Sequence, residues 1–448
     1  MAINILENVL TVALLGQYLI GGGEMAQKLL QLYDSVSRLI LYRNILDEGL
    51  VKKVNKLLEV SLEEGDSAVA SGLYHEISYD LIDYAKKEYL AGDLWREYLL
   101  RLIILNENAF SLECEKFGQK LSKSLYKAAK HDFDILLKLY FLDWREFGFR
   151  PLDFVCDFET EQQSNDPYVQ IRSTLQREGS TEEVLDAMIN YYHVHGCGNM
   201  GLYHAFRWGE TEGLIPIKQP DSITFQDLIG YQDQKEQLIE NTESFVRGSL
   251  ANNILLFGDR GTGKSSSVKA LGNKYASQGL RLIELSQQQL KNFPDILQRV
   301  RERGQRFIVF IDDLSFEEFE TEYKYLKAII EGSIEAKPDN VLIYATSNRR
   351  NLIKESWKER EGDDIHAADS MQEKLSLVDR FGITITFTSP DQEEYLSIVT
   401  GLADTVGLEL DPDDLREEAL KWAVWHKGRS GRTARHFINY MLGKENSN

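Results

Sequence analysis

The sequence predicts an α/β protein whose core is a five-stranded parallel sheet with helices on both faces. An all-helical region precedes this core, and a small helical lid follows it. Three patterns predict this arrangement: apolar residues recur at three- and four-residue steps through the first 150 residues, short apolar runs alternate with amphipathic segments from residue 254 onward, and these runs stop after Pro390. The first pattern is typical of helices, the second of parallel strands covered on both faces, and the third of a helical appendage.

The N-terminal region, residues 1–180, is predicted to be an all-helical domain. Leu29, Tyr33, Val36 and Ile40 follow one another at helical spacing. Breakers such as the glycine triplet at residues 21–23 mark the turns. No internal repeat is evident, and a helical-repeat fold is the alternative.

Residues 181–220 are predicted to be a connecting segment with a tight turn around Gly196 and Gly198. His193, His195, Cys197 and His204 lie close together in this segment. Histidine and cysteine side chains are zinc ligands, so a zinc site is one interpretation. The spacing matches no familiar zinc module and the glycines indicate a tight turn, so a packed turn is favoured.

The core is predicted over residues 221–390 and the lid over 391–448. The predicted strands are Ile254–Phe257, Arg281–Leu285, Phe307–Ile311, Val341–Ala345 and Ile383–Phe387. The predicted lid helices are Gln392–Val406, Asp413–His426 and Thr433–Leu442.

Composition limits the location and the partners of the chain. The formal net charge of −20 argues mildly against broad binding to nucleic acids or membrane surfaces, because both are anionic. Three scattered cysteines imply no disulfide framework, and we expect a cytoplasmic protein. No run of apolar residues is long enough to span a bilayer, and the apolar residues 3–20 are interrupted by Glu7 and Gln17. We expect residues 3–20 to form a buried amphipathic helix, with a membrane-associated helix as the alternative.

The strongest motif is Gly-x-x-x-x-Gly-Lys-Ser, directly after the first predicted strand. Its glycines permit a backbone whose N–H groups face phosphate oxygens, and the helix that follows directs its positive end at the anion. Lys264 adds a positive charge, and the Ser265 hydroxyl is a ligand for Mg²⁺. The predicted nucleotide-binding residues of this loop are Gly258, Asp259, Arg260, Gly261, Thr262, Gly263, Lys264, Ser265 and Ser266.

Two further strands end in polar residues. Asp312 and Asp313 follow the third predicted strand; Asp312 is expected to hold Mg²⁺ and Asp313 to orient or deprotonate an attacking water. Asn348 follows the fourth strand and can hydrogen-bond a terminal phosphate and that water. The alternatives are two acids that cap a strand end and an ordinary loop asparagine.

These motifs, in the order in which they occur along the chain, resemble those of the AAA+ ATPase superfamily. The resemblance implies that the loop at 258–265 is Walker A, that Asp312 and Asp313 belong to Walker B, and that Asn348 is sensor 1. It further implies that Arg380 is an arginine finger acting on a neighbouring subunit, and that Arg432 is the sensor 2 arginine of the lid, with Arg435 as the alternative. A local ion pair of Arg380 and a solvated basic helix start at 428–435 are the structural alternatives.

The segment that enters the core also fits this superfamily. Residues 223–231, with Ile229 and Gly230, are similar to the loop that holds adenine in AAA+ proteins. Within the superfamily, the chain resembles a bacterial group catalogued as domain of unknown function 815. The motifs that carry this likeness are 195–198, 205–208, 258–267, 312–317 and 373–382, and the resemblance covers roughly residues 190–445.

Two departures from the usual AAA+ pattern affect the functional expectation. Asp313 stands where the superfamily usually has glutamate, and a side chain one methylene shorter can place the water poorly. Glu317 and Glu318 are candidates to compensate. Residues 287–294 lack the aromatic–apolar–glycine pore loop of protein unfoldases, which argues against substrate threading.

The resemblance therefore implies an Mg²⁺-dependent ATPase that remodels or regulates a macromolecular partner. We expect the partner to be a protein bound by the N-terminal helices, and we expect a homo-oligomeric ring when ATP is bound. Nucleic acid as a partner is less favoured because of the net charge. The alternative function is a nucleotide-gated binding module, or a scaffold resembling helicase loaders, with little hydrolysis.

Overall fold

The computed structural model describes residues 24–62, 67–147, 149, 152–160, 169–177, 179–314, 326, 330, 337–348, 380–408, 410–426 and 428–445. The chain divides into two compact units, Met1–Leu202 and Tyr203–Asn448. The predicted connecting segment is therefore divided between the two units. The predicted helix at 3–20 and the acids Glu317 and Glu318 lie outside the described residues. No described helix combines the length and the apolar character that a membrane crossing requires.

Where it is described, the first unit is helical, apart from a single bridge between Gly92 and Phe158. Helix starts carry the expected caps: the Asp93 side chain accepts from the Arg96 amide, and Ser180 forms a capping box with Glu183. The α-helices are α1 (Glu24–Val36), α2 (Gly49–Leu62), α3 (Ser67–Glu88), α4 (Leu94–Leu105), α5 (Ala109–Phe117), α6 (Lys123–Tyr140), α7 (Asp153–Cys156), α8 (Val169–Gln176), α9 (Thr181–His195) and α10 (Asn199–Leu202).

A buried carboxylate holds the turn that follows α1. Asp132 on α6 is fully buried, and its oxygens accept hydrogen bonds from the amides of Ile40 (3.0 Å), Leu41 (2.7 Å) and Tyr42 (2.9 Å). These bonds compensate the cost of removing the charge from water. Asp132 therefore joins residues far apart in sequence within the core of this unit.

Replacing Asp132 with asparagine is expected to destabilise the first unit by about 2 kcal/mol, because one acceptor oxygen becomes an N–H₂ group facing backbone donors. Urea unfolding followed by far-UV circular dichroism measures the change. Asp47→Asn is the matched control, since the Asp47 side chain is 84% exposed. Equal stability of the two variants would contradict the role of Asp132.

The histidine–cysteine segment forms a packed turn at the end of α9. Glu115 is nearly completely buried, and its Oε2 accepts from the Cys197 amide (3.0 Å) and from the Cys197 thiol (3.3 Å). His193 Nδ1 lies 3.2 Å from the Glu115 carbonyl oxygen. In the part of the chain that the structure describes, no group of three or more histidine, cysteine, aspartate or glutamate residues is arranged to hold a metal ion. The contacts of Glu115 are those of a packed turn, in which the Cys197 thiol donates to the Glu115 carboxylate.

The second unit is built on a seven-stranded sheet in the order β2-β1-β4-β5-β6-β3-β7. Only the β1–β2 pair is antiparallel among the described pairings. The strands are β1 (Ala205–Gly209), β2 (Gly213–Pro216), β3 (Ile254–Gly258), β4 (Leu280–Leu285), β5 (Arg306–Ile311), β6 (Val341–Ser347) and β7 (Ile383–Phe387).

The α/β class is confirmed, but the expected number of strands was wrong. β1 and β2 form a hairpin in the predicted connecting segment, and β1 extends the sheet by pairing with β4. The hairpin was missed because its strands are short and because Arg207, exposed in the middle of β1, interrupts the apolar pattern. The five predicted strands occur with bounds that differ by at most two residues.

The helices of the second unit belong either to the core or to the lid. Those of the core are α11 (Gln232–Val246), α12 (Lys264–Tyr275) and α13 (Phe293–Arg301). Those of the lid are α14 (Gln392–Val406), α15 (Pro412–Trp425) and α16 (Gly431–Glu445). Because β6 lies between β5 and β3 and all three are parallel, their carboxyl ends meet at one edge. The three predicted polar motifs therefore meet at this edge.

A partly buried lysine lies at the opposite, amino-terminal edge. The Lys337 ammonium donates to the Asn253 side-chain oxygen (3.3 Å) and to the Val341 carbonyl. Burial lowers the pKa of Lys337 to about 8, while the nearby Asp339 carboxylate opposes this shift. The folded protein therefore disfavours the charged lysine.

This pKa predicts that stability increases with pH between about 8 and the normal lysine pKa of about 10.4. In that window the unfolded chain binds more protons than the folded one, so the free energy of unfolding rises with pH, by about 3 kcal/mol from this group. Urea titrations at both ends of the window should show this gain in the parent and lose it in Lys337→Met. Lys291→Met is the control, because the Lys291 side chain is 57% exposed. The same pH dependence in all three proteins would contradict the assignment.

Candidate nucleotide-binding site

A cleft of about 790 Å³ opens at the carboxyl edge of the sheet, beneath the lid. The core contributes the loop after β3 and the polar ends of β5 and β6, and the lid contributes residues of α14 and α16. Its lining residues are Asp221, Ser222, Ile223, Asp227, Leu228, Ile229, Gly230, Tyr231, Lys235, Arg260, Gly261, Thr262, Gly263, Lys264, Ser265, Ser266, Ser267, Asp312, Asp313, Thr346, Asn348, Phe387, Ile398, Leu402, Gly431, Arg432 and Arg435.

The loop between β3 and α12 has a backbone that requires glycine. Gly258, Gly261 and Gly263 have φ values of +134°, +78° and +95°. A Cβ on Gly258 would lie 2.0 Å from the Phe387 carbonyl oxygen, so only glycine fits beside β7. Gly263 is the N-cap of α12, which directs the positive end of a 12-residue helix into the cleft.

Lys264 lies at the centre of the cleft. Its ammonium donates to the carbonyl oxygens of Gly258 (3.1 Å) and Asp259 (2.6 Å) and to the side-chain oxygen of Asn348 (3.0 Å). Burial lowers the pKa of Lys264, while the carboxylates of Asp259, Asp313 and Asp312 raise it. Lys264 is therefore a desolvated cation facing an open cleft, which favours a bound anion.

A group of oxygen atoms lies beside Lys264. The Ser265 hydroxyl donates to Asp312 Oδ1 (2.6 Å), and Thr346 Oγ1 donates to the same oxygen (2.5 Å). Thr346 Oγ1 also accepts from the Asp313 amide (2.9 Å). Thr346 was not among the predicted site residues, although its place at the polar end of β6 was a usable signal. Thr346 therefore contacts the Asp312 carboxylate and holds the backbone of Asp313.

Asp313 and Asn348 are joined directly. Asn348 Nδ2 donates to Asp313 Oδ1 at 2.6 Å, so one amide bridges Lys264 and Asp313. Asp313 adopts φ +52°, a left-handed conformation that is uncommon for residues other than glycine. Its backbone is held there by Thr346 and by the Asp312 carboxylate, which accepts from the Asp313 amide (3.1 Å).

The far end of the cleft is apolar. Ile229 and Gly230, which were predicted to belong to a base-binding loop, line this end of the cleft. Ile398 and Leu402 of α14 face them. Ile229 packs so closely on α14 that a Cβ on Gly401 would lie 3.0 Å from its side chain. The helical pattern of α14 did not reveal which of its faces would cover the cleft.

Both candidate lid arginines line the cleft, at different places. The Arg432 amide donates to the Gly261 carbonyl at 3.1 Å, which puts its side chain beside the glycine-rich loop. The Arg435 guanidinium donates to the Asp227 carbonyl at 2.9 Å, near the apolar end. Arg432 is therefore the better placed of the two to contact a phosphate.

Three predicted site residues, Gly258, Asp259 and Arg380, are not among those that line the cleft. The Asp259 side chain accepts from the Ser389 amide at 2.7 Å. Arg380 precedes β7 at the amino-terminal edge, where its near neighbour Gly382 lies against Asn252. A five-residue strand spans about 16 Å, so Arg380 is far from the cleft of its own chain.

Parts of the chain are similar to known proteins. The chain is 29% identical over 100 residues to the ATP-dependent zinc metalloprotease FtsH of Endomicrobium trichonymphae, a match that covers 19% of this chain and 16% of that protein. Among solved structures, the Thermotoga maritima RuvB Holliday junction branch migration motor matches with 15% identity and a TM-score of 0.32, over 49% of this chain and 71% of that one. A RuvB variant from the same organism matches with 17% identity and a TM-score of 0.35, over 48% and 64%.

The family model described as "Protein of unknown function (DUF815)" matches residues 201–445. This match includes the whole seven-stranded sheet, the loop after β3 and the lid, and it spans more than half of the chain. The chain therefore belongs to the DUF815 family.

Proposed function

We propose that this protein is an Mg²⁺-dependent ATPase that uses ATP binding and hydrolysis to remodel or regulate a protein partner. The observation that carries the proposal is the convergence of Lys264, Ser265, Asp312 and Asn348 within hydrogen-bond distance at a helix N-terminus. A desolvated cation, a positive helix end and a pair of hard oxygen ligands together suit a metal-bound triphosphate.

The residues present fit both ATP and Mg²⁺. The glycine-rich loop leaves room at Gly263, where an added Cβ would meet nothing within 4 Å. Ser265 and Asp312 offer the oxygen ligands that Mg²⁺ prefers. The apolar end, with Ile229 and Leu402, suits a purine ring, and no Asn-Lys-x-Asp motif that would select guanine occurs in the sequence.

When bound, ATP with Mg²⁺ would supply a terminal phosphoryl group open to attack by water. Lys264 and the amides of the loop would neutralise negative charge on the phosphates, and Ser265 and Asp312 would hold the metal. Asp313 would take the proton of the attacking water, and Asn348 would orient that water. Arg432 would contact the phosphates from the lid.

Coupling to a partner would proceed through the lid and through a second copy of the chain. A change in the angle between sheet and lid would move groups attached to the core, including a protein bound by the helices of the first unit. Arg380 lies far from its own cleft, which supports a role in the cleft of a neighbouring subunit and hence a ring.

A second candidate function is a nucleotide-gated binding module with little turnover. Asp313 is shorter than the usual glutamate, and its carboxylate is occupied by the Asn348 amide at 2.6 Å. Both features oppose rapid deprotonation of water. In this function, ATP binding alone would switch the affinity for the partner.

Two measurements on the full chain distinguish these functions. Isothermal titration with ATP and Mg²⁺ should give a Kd in the micromolar range, and release of phosphate should depend on Mg²⁺. Tight binding without turnover would favour the binding module. The absence of ATP binding, with and without Mg²⁺, would contradict both.

A further inference from the structure

Asp259 has a position that the proposed nucleotide chemistry does not explain. It lies inside the glycine-rich loop, where its carbonyl oxygen contacts the Lys264 ammonium, yet its side chain does not line the cleft. Its Oδ2 accepts from the amide of Ser389 at 2.7 Å, and its own amide donates to the Phe387 carbonyl at 2.9 Å. Asp259 therefore holds the end of β7 through its backbone and the segment after β7 through its side chain.

The last residue of β7 and the two that follow it, Phe387 to Ser389, connect the sheet to the lid, and we call them the lid connector. Pro390 follows, and Asp391 is the N-cap of α14, the first lid helix. The connector is also held from the apolar end of the cleft, because the Tyr231 hydroxyl donates to the Thr388 carbonyl at 2.7 Å. Contacts from both ends of the cleft thus meet on the connector.

The backbone of Asp259 is in turn tied to the phosphate-binding groups. Its carbonyl oxygen accepts from the Lys264 ammonium (2.6 Å) and from the Thr262 hydroxyl (2.8 Å). An anion that attracts Lys264 competes with this carbonyl for the ammonium. A ligand in the cleft is therefore expected to change the contacts of the Asp259 carbonyl oxygen. The Asp259 side chain, in turn, contacts the lid connector.

We propose that Asp259 is a positioning residue that couples occupancy of the phosphate-binding loop to the orientation of the lid, through its hydrogen bond to Ser389. This inference rests on the proposed function, since it requires a phosphate ligand. A carboxylate directed at the phosphates would repel them, and the bond to Ser389 keeps its charge turned toward the connector. Asp259 thereby acts on the lid instead of contacting the nucleotide.

The test uses the full chain with fluorophores on two introduced cysteines, Leu250→Cys before β3 and Val424→Cys on α15, in a Cys156→Ser background. Leu250 and Val424 are 100% and 79% exposed. Energy transfer is recorded with and without Mg²⁺ and a non-hydrolysable ATP analogue, and the Kd of the analogue is measured by titration. The variants are Asp259→Ala, Ser389→Pro, the double variant, and Asp259→Asn, whose side-chain oxygen still accepts from Ser389.

We expect Asp259→Ala and Ser389→Pro each to remove at least half of the ligand-induced change in energy transfer, while the Kd stays within about threefold of the parent. The double variant should lose no more than either single variant, because both delete one bond. Asp259→Asn should retain most of the change. An unaltered transfer change in Asp259→Ala, or a loss of affinity in it as large as in Lys264→Ala, would overturn the inference.

Hydrogen exchange without any nucleotide separates this inference from the proposed function. In Asp259→Ala the Ser389 amide loses its hydrogen-bond acceptor, so it should exchange about tenfold faster than in the parent. Asp259→Asn should exchange at the parental rate. If this occurs but the parent binds no nucleotide, the contact is real and the proposed function fails. Equal exchange in all three proteins would overturn the inference even if ATP binds.

Discussion

Replacing Lys264 with alanine is expected to weaken ATP binding about 100-fold or more, the largest effect we predict on affinity. Lys264 is the desolvated cation at the centre of the cleft, 5% exposed and within 3.1 Å of three oxygen atoms. Without the positive charge of Lys264, the carboxylates of Asp312 and Asp313 would repel the phosphates more strongly. Isothermal titration with ATP and Mg²⁺ measures the loss.

The matched control is Lys269→Ala, which removes a lysine of the same helix that does not line the cleft. Its Kd for ATP should stay within about twofold of the parent, since charges one helical turn further away are screened. If Lys264→Ala binds ATP as tightly as Lys269→Ala does, the cleft is not the site of phosphate binding. Circular dichroism of both variants separates this result from loss of folding.

The architecture of the core followed from local patterns, because parallel strands buried on both faces leave continuous apolar runs. β3, β5 and β6 could therefore be located, and with them the edge where Lys264, Asp312 and Asn348 converge. β1 and β2 could not be located in this way. The strand pairing of β1 depends on β4, some 75 residues later in the chain, and its exposed Arg207 hides the pattern.

Side-chain directions within the site were less predictable than its location. The loop motif specifies the backbone of residue 259, whereas the direction of its carboxylate depends on Ser389, 130 residues later. Thr346 was overlooked because a threonine in a strand is usually explained by strand propensity alone. Which face of α14 covers the cleft is decided by the packing of Ile229 against Gly401, which helical periodicity does not encode.

Asn348 links the two expected steps of the site, binding and hydrolysis. Its amide oxygen accepts from Lys264 and its N–H₂ group donates to Asp313, so the amide assignment is fixed by its two partners. An anion that binds Lys264 competes for one of these contacts. The same anion is thereby expected to loosen the hold of Asn348 on Asp313, which makes the base available only when the cleft is filled.

Replacing Asp313 with asparagine is expected to lower kcat for ATP hydrolysis about 100-fold or more, while the Kd for ATP stays within about threefold. An asparagine side chain has the same shape, accepts from Asn348 equally well and tolerates the left-handed backbone at φ +52°. It cannot accept a proton from water, however. Steady-state phosphate release and isothermal titration on the same preparation separate the two quantities.

Glu284→Gln is the matched control for this substitution, because Glu284 is an exposed acid of the neighbouring strand β4 outside the cleft. It should leave kcat and Kd unchanged. If Asp313→Asn hydrolyses ATP at the parental rate, Asp313 is not the base, and the fast or slow turnover of the parent must come from another acid. If the parent itself shows no turnover while Asp313→Asn binds ATP equally well, this site binds ATP without consuming it, and the short side chain of Asp313 is the explanation.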